Sequence, residues 1–290
     1  MSQELSPEQI KHIMQGIVIP PQPQVMVDLQ MEQASPHCTV ESIAQLISQD
    51  VGLSGAIIKT VNSPFFNLAN NISSISQAVG LLGINSVVNL VNAQSIKGAL
   101  SDEEIIALGA FWDSAMEVAM TAAVVAKQVG YHSPDEAYTL GLFHNCGIPL
   151  LSRKFDNYAT VLEEAYNRPD DCITDTENAL INTNHAVVGY YVAKSWNLPR
   201  HICTAIHDHH HVTRQFLEDP SSSQQKTLLA ILKMSEHIGG LYRTLGKADS
   251  DYEWECVKDA ILLYVGLSEY DYEGLLEHIK ELGIGSNSVS

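Results

Sequence analysis

Histidines and carboxylates recur in this sequence at helix positions that would face a common interior. His144 and Asn145 lie in "GLFHNCGIPLL", near the end of an apolar helix and before a Gly-Ile-Pro stop. An aspartate at position 145 would complete a pair able to bind one metal ion through an imidazole nitrogen and a carboxylate oxygen. Because helical bundles build metal centres from such inward-pointing side chains, the sequence contains a candidate metal site. The other candidate ligands are Asp113, His185, His209 and Glu236.

A lone histidine on an apolar helix is more often a hydrogen-bonded core or surface residue than a metal ligand. Metal binding therefore depends on whether side chains from different helices converge. The run His207, His209, His210 and His211 resembles a metal tag, but near-consecutive helical residues point in different directions. We expect at most two of these four to share a face and the others to be solvated.

The elements that must position these residues are helices. Nearly every segment has helical rather than alternating hydrophobic periodicity, and no segment requires a sheet. Thr39 is the predicted cap of one helix, and Ser74 with Gln77 forms a predicted capping box ahead of another. Ser133, followed by proline, is the predicted cap of the helix that runs into His144. The sequence therefore predicts an all-α fold.

Two helical bundles are expected, because 290 residues suffice for two modest domains. Residues 1–100 form the predicted N-terminal bundle, with a short first helix starting at Ser6–Pro7. The segment "GALSDEEIIAL" introduces a run of charges, which places the predicted boundary near residue 100. Residues 101–290 form the second predicted bundle and end in acidic helices.

Composition excludes several classes of partner. The chain has 34 acidic and 16 basic residues and a formal net charge of −18, which opposes nonspecific binding to nucleic acid and to anionic membranes. The N-terminus has neither a basic start nor an apolar core of a secretory signal, and no stretch approaches the ~20 apolar residues of a membrane span. Five cysteines, far apart and without a C-x-x-C motif, indicate reduced thiols. These features predict a cytoplasmic protein.

Several segments, in order, resemble the HD superfamily of metal-dependent phosphohydrolases and, within it, the HDOD branch. The pattern H-x3-G-x6-W-x-L-P-x2-I-x3-I-x2-H-H begins at His185 and ends at His209 and His210. Upstream, "IPPQPQ", "ISQDVGL", "NSPF" and the helix ending "LLG" are similar to the start of an HDOD domain. The likeness spans roughly residues 19 to 240 and implies that the second bundle is HD-like.

The resemblance also implies a set of ligand positions, several of which are altered here. The first histidine of an active HD enzyme falls on Asp113, and the closing aspartate falls on Glu236. His144 matches the histidine of the His-Asp pair, whereas Asn145 stands in place of its aspartate. The extra histidines of the related HD-GYP branch match His185 and His209, with His210 as a further candidate ligand. The G-Y-P signature of that branch is absent.

The exchange at position 145 carries a physical consequence. A carboxylate supplies negative charge and, when it bridges two metals, two oxygen ligands, whereas a carboxamide supplies one weak oxygen and an NH2 group that repels a cation. Two-metal catalysis should therefore be lost. The carboxylates of Asp113 and Glu236 could compensate in part, so that zinc, iron, nickel or manganese could still bind without catalysis.

The favoured hypothesis is a non-catalytic, bacterial-type HDOD signalling module. It would act through contacts with partner proteins, carry a degenerate HD site and require no cofactor. The alternative is a metal-dependent phosphohydrolase that acts on a phosphoester or a cyclic nucleotide through a remodelled site at Asp113, His144, His185, His209 and Glu236. A third reading is a degenerate pocket that senses a small ligand such as a nucleotide.

Overall fold

The computed structural model describes residues 14, 16–17, 24–62, 71–97, 109–218 and 223–284. Within these ranges the regular elements are helices and no β-strand occurs, so the predicted all-α fold is confirmed. No helix in these ranges is both long enough and apolar enough to span a membrane. The predicted first helix and the predicted domain boundary near residue 100 lie outside the described residues.

Two compact units make up the chain. The smaller unit comprises Pro21–Gly109 and Glu277–Ser290, and the larger comprises Met1–Pro20 and Ala110–Leu276. The described helices in the Pro21–Gly109 segment of the smaller unit are α1 (Gln24–Gln33), α2 (Val40–Ser48), α3 (Val51–Val61), α4 (Ile75–Leu82) and α5 (Ile84–Lys97).

Side-chain caps begin helices of the smaller unit. The hydroxyl of Thr39 accepts a hydrogen bond from the backbone N–H of Ser42. The hydroxyl of Ser42 accepts one in return from the backbone N–H of Thr39. Ser74 likewise accepts from the backbone of Gln77, but the Gln77 side chain accepts from Ser73 instead of Ser74. Both predicted caps are therefore present, and the reciprocal half of the box at Ser74 is shifted by one residue.

The larger unit carries the candidate ligands. Within it α12 packs against α7, α11 and α13, and α13 also packs against α7 and α15. In chain order from residue 109 the helices are α6 (Gly109–Gln128), α7 (Pro134–Phe143), α8 (Ile148–Lys154), α9 (Tyr158–Tyr166), α10 (Ile173–Ile181), α11 (His185–Ser195), α12 (Arg200–Asp208), a π-helical turn (Arg214–Glu218), α13 (Gln224–Ile238), α14 (Leu241–Thr244), α15 (Tyr252–Val265) and α16 (Glu269–Glu281).

The helix ends around His144 differ from those expected. Helix α7 begins at Pro134 as predicted, but the Ser133 side chain makes no capping hydrogen bond. Pro149 does not end a helix. It lies in the first turn of α8, where the backbone N–H that proline lacks would have no acceptor within the helix. The predicted stop is therefore a short link between two helices. Helix α10 also has no counterpart among the predicted elements.

Glycines let the segments around the candidate ligands approach closely. A Cβ atom on Gly147 would lie 2.2 Å from the carbonyl oxygen of His185 and 2.9 Å from the nitrogen of Gly189. Both obstacles are backbone atoms of α11, so they cannot move aside independently of the helix. The link between α7 and α8 therefore reaches the start of α11 only because residue 147 has no side chain.

Substituting Gly147→Ala is expected to lower the free energy of unfolding by about 3 kcal/mol, because the added methyl group overlaps the α11 backbone. Gly274→Ala is the matched control, since Gly274 lies on a helix with nothing within 4 Å of the new atom. The control should be neutral or stabilise by up to about 1 kcal/mol. Chemical denaturation measures the free energy of unfolding of both variants. Equal stability of the two variants would contradict the close approach.

Candidate metal centre

Three histidines converge in the interior of the larger unit. The Nε2 atom of His185 lies 3.2 Å from Nε2 of His209 and 3.0 Å from Nε2 of His210. All three side chains are buried. Within the described residues their ligand atoms all lie within 4.8 Å of one another. We refer to His185, His209 and His210 as the histidine triad.

Helix ends explain how the triad forms. His185 is the first residue of α11, which Asn184 caps by accepting from the backbone N–H of Val187. His209 follows the last residue of α12, so that His210 lies beyond the helix. Because the chain leaves helical geometry at this point, the two adjacent histidines can both face His185. His207 and His211 keep solvent contact, as expected for this run.

Each triad ring has its second nitrogen fixed by an acceptor. Nδ1 of His185 lies 2.7 Å from a Glu177 carboxylate oxygen, and Nδ1 of His209 lies 2.7 Å from the carbonyl oxygen of Ile206. Nδ1 of His210 lies 3.0 Å from Glu253. Since these partners are acceptors, each Nδ1 donates to its partner, which leaves Nε2 of each ring to face the other two.

Burial keeps two of these rings neutral. Burial lowers the pKa of His209 well below its ordinary value, and neighbouring His210 and Lys233 lower it further. The pKa of His210 is lowered in the same way, first by burial and then by Lys233. Lone pairs brought this close together repel one another unless a positive charge lies between them. A cation between the three nitrogens would remove this repulsion.

The distances in the triad suit a metal ion. Two nitrogens bound at about 2.1 Å to one ion lie about 3.0 Å apart at right angles and about 3.4 Å apart in a tetrahedron. The measured separations of 3.0 and 3.2 Å fall in this interval. Imidazole ligands held by carboxylates or carbonyls are typical of zinc, iron and nickel sites. His185, His209 and His210 thus fit a single divalent cation.

A buried lysine occupies the neighbouring part of the site. Nζ of Lys233 lies 2.6 Å from one oxygen of Glu236 and 2.8 Å from one of Glu253, and the Lys233 side chain is 3% exposed. Burial by itself would lower the pKa of Lys233, but Glu236 and Glu253 outweigh it and raise the pKa. Lys233 is therefore a permanent ammonium. We refer to Glu236, Lys233 and Glu253 as the carboxylate–lysine bridge.

His144 and Asn145 lie next to this bridge. His144 donates from Nδ1 to the Gly141 carbonyl oxygen at 2.6 Å, and its Nε2 lies 3.2 Å from Oε1 of Glu236. These two atoms are close enough for an ion pair, but their alignment does not make a hydrogen bond. Asn145 is buried, and neither of its amide atoms bonds to a described residue. The amide therefore supplies no charge and no hydrogen bond to the site.

Asp113 lies in a different environment from the other candidate ligands. Its side chain is exposed on α6, whereas the candidate histidines and Glu236 are buried. The pKa of Glu117, one turn along, is raised by burial and by the charge of Asp113. The structure thus brings His144, the triad and Glu236 together and leaves Asp113 at the surface.

Four further residues of the site have no counterpart among the predicted ligands. They are Tyr158, Glu177, Lys233 and Glu253. Glu177 carries the clearest sequence signal, because Ile173 and Ile181 lie one helical turn to either side of it on the same face of α10. A carboxylate within an apolar stripe must be buried with a partner.

A cleft of about 350 Å³ reaches His210 from the surface. It lies beside the connection between α9 and α10 and the start of α15. Its acidic lining residues are Asp170, Asp171, Asp251 and Glu253, against one guanidinium, that of Arg168. Arg168 is itself paired with Asp171 and with Glu164. The cleft is large enough for a small molecule, but its charge opposes an anionic one.

Comparisons with known proteins identify a family and similar solved structures. The HDOD domain family model matches residues 19–212. A structure from Shewanella amazonensis SB2B, named as a candidate phosphohydrolase, is 25% identical with a TM-score of 0.68, and the match covers 94% of this chain and 95% of that chain. An HDOD domain protein of unknown function from Geobacter sulfurreducens is 22% identical with a TM-score of 0.69, covering 94% and 93%.

A curated relative is also detected by sequence. An uncharacterized protein of Treponema pallidum (strain Nichols) is 27% identical over 198 residues, which is 67% of this chain. The matched stretch is 38% of that protein's length. This chain therefore corresponds to less than half of that relative.

Replacing Lys233 with methionine is expected to destabilise the larger unit by about 3–5 kcal/mol, because Glu236 and Glu253 would be left close together without a cation. Lys247→Met is the matched control, since Lys247 forms one ion pair with Glu163 and is 73% exposed. The control should change stability by less than about 0.5 kcal/mol. Urea denaturation compares the free energies of unfolding of the two variants. Similar losses in both variants would contradict a structural role for the bridge.

Proposed function

We propose, since this chain belongs to the HDOD domain family, that it is a non-catalytic regulatory module that works through contacts with partner proteins. In this proposal the HD-derived pocket is a structural site that holds at most one divalent cation on the histidine triad. The observation that carries the proposal is the carboxylate–lysine bridge.

The bridge engages one oxygen of a carboxylate that a two-metal centre would need. Glu236 stands where the closing aspartate of the HD pattern is expected, and one of its oxygens is paired with Lys233 at 2.6 Å. A metal ion at this oxygen would have to displace a buried ammonium, or bind beside it against charge repulsion. The internal lysine therefore supports loss of the second metal position.

Asn145 supports the same conclusion. A bridging aspartate would add a negative charge next to His144, but the amide of Asn145 is neutral and without hydrogen bonds to the described residues. Two-metal phosphoester hydrolysis relies on closely spaced cations that stabilise both the attacking and leaving oxygens. One triad-bound ion would lack this second partner.

The charge of the cleft is also unsuited to phosphoesters. Four carboxylates line the route to His210, while its one arginine is already paired. A phosphate group would meet repulsion before it reached the triad. A small ligand in this cleft, including a nucleotide, would thus need a neutral or cationic part to face these carboxylates. Equilibrium binding measurements with nucleotides test that reading.

Purified, untagged protein supplied with manganese, magnesium, iron or zinc is expected to hydrolyse neither phosphomonoesters, nor nucleotides, nor cyclic dinucleotides above the rate of a His144→Ala variant. The reason is that Lys233 pairs with one oxygen of Glu236 and that Asn145 carries no charge, so that a second cation would be poorly held. Phosphate release and chromatography of the nucleotides measure turnover. Hydrolysis that disappears in the His144→Ala variant would refute the non-catalytic assignment.

A single equivalent of divalent cation is expected to bind the triad and to raise the melting temperature. His209→Gln removes one of three ligands and should weaken binding at least about 100-fold. His207→Gln is the matched control, because His207 lies in the same run but pairs with Asp208 at the surface. Elemental analysis measures the bound metal in each variant, and thermal denaturation measures the melting temperature. Equal binding by the two variants would show that the ion is bound elsewhere.

The second candidate function is metal-dependent phosphohydrolysis. The convergence of the triad favours it, as does the name of the Shewanella amazonensis structure. In that case Glu236 would have to leave Lys233 when metal and substrate bind. The turnover assay decides between the two functions, because only the second predicts hydrolysis that requires His144.

A further inference from the structure

We propose that Glu177 is the positioning residue of the histidine triad: it fixes the ring of His185 and sets the affinity of the triad for a divalent cation. This inference rests on the cation site proposed above. It concerns a residue on α10, outside every ligand position that the HD pattern implies.

Glu177 is fully buried and bonded through both carboxylate oxygens. Oε2 accepts from Nδ1 of His185 at 2.7 Å and lies 3.4 Å from the backbone nitrogen of the same residue. Oε1 accepts a short hydrogen bond from the hydroxyl of buried Tyr158. These bonds fix the orientation of the carboxylate, which in turn fixes the plane of the His185 ring.

The protonation of His185 follows from this contact. A carboxylate only accepts, so the proton of the neutral ring lies on Nδ1 and the lone pair lies on Nε2, toward His209 and His210. The opposite tautomer would turn a lone pair toward the carboxylate and an N–H toward the triad. That proton would occupy the space that a cation needs.

The charge of Glu177 is screened less than that of the other orienting carboxylate. Glu253 holds His210, but its side chain is 19% exposed and it is also paired with Lys233. Glu177 is 0% exposed, and its partners among the described residues are a phenol, an imidazole and a backbone N–H, none of them a lysine or arginine. A buried carboxylate with no lysine or arginine beside it attracts a bound cation strongly.

The overall charge of the site leads to the same expectation. Glu177, Glu236 and Glu253 bring three carboxylates, and Lys233 brings one ammonium, which leaves two negative charges among these side chains. A divalent cation on the triad would reduce this excess of negative charge. Replacing Glu177 with a neutral residue would weaken that attraction.

The test uses Co²⁺ titration of untagged, metal-stripped full-length protein, with affinities from competition against a chelator. Glu177→Gln keeps the shape and an acceptor oxygen but removes the charge, so Co²⁺ affinity should fall 10- to 100-fold. Glu253→Gln should cause a smaller loss, because that site is partly exposed. Tyr158→Phe, which keeps the Glu177 charge, should change affinity only a few-fold.

Nitrogen-15 NMR of the metal-free protein supplies a readout that a general loss of structure would not imitate. His185 should carry its proton on Nδ1 in the wild type and in Glu177→Gln, whereas Glu177→Leu, which has no acceptor, should lose that preference. Circular dichroism verifies that each variant is folded.

The outcomes separate this inference from the proposed function. If the wild type binds Co²⁺ and Glu177→Gln binds it within twofold of the wild type, the role of Glu177 is refuted and the cation site stands. A wild-type His185 protonated on Nε2 would refute it as well. If the wild type binds no Co²⁺, the cation site fails together with this inference, and the non-catalytic assignment remains separately testable by turnover.

Discussion

A buried ammonium held between two carboxylates is the interaction on which the architecture of this site depends. Lys233 on α13 joins Glu236 of its own helix to Glu253 of α15, and Glu253 in turn holds His210. Because an unpaired charge in the interior is strongly destabilising, these groups must remain together once the helices have packed. The bridge thereby ties α13, α15 and the end of α12 into one arrangement and limits how the histidines can face one another.

The same interaction accounts for how an HD-derived pocket could persist without catalysis. In a metal enzyme, cations hold the inward-pointing carboxylates together, whereas here Lys233 supplies that positive charge from within the chain. The triad retains a geometry that suits one cation, with an orienting acceptor behind each ring. A pocket of this kind can stabilise the domain and preserve its outer surface for partners, which is the role proposed for this HDOD protein.

Helix type and many helix ends were predictable because they depend on neighbouring residues. Caps at Thr39 and Ser74 and the start of α7 at Pro134 follow from local hydrogen bonding and backbone restriction. Helix α10 is hard to predict because its sequence, "ITDTENALI", is mostly polar and the apolar face formed by Ile173 and Ile181 is interrupted by Glu177. Its inner side includes Glu177, which is tolerated there only because Tyr158 and His185 satisfy it. Tyr158 and His185 lie 19 and 8 residues from Glu177 along the chain, which is too far for a local sequence pattern to reveal the contacts.

The sequence by itself determined the all-α class, the HDOD relationship, and the presence of an amide at position 145, since each depends on residue identity and spacing along the chain. It also supplied most of the histidines that converge. Only the tertiary structure decided that His210 completes the triad, that Asp113 stays at the surface, and that Lys233 and Glu177 belong to the site. The physical reason is that a buried charge is defined by its partners, and these are brought together by the packing of helices distant in sequence.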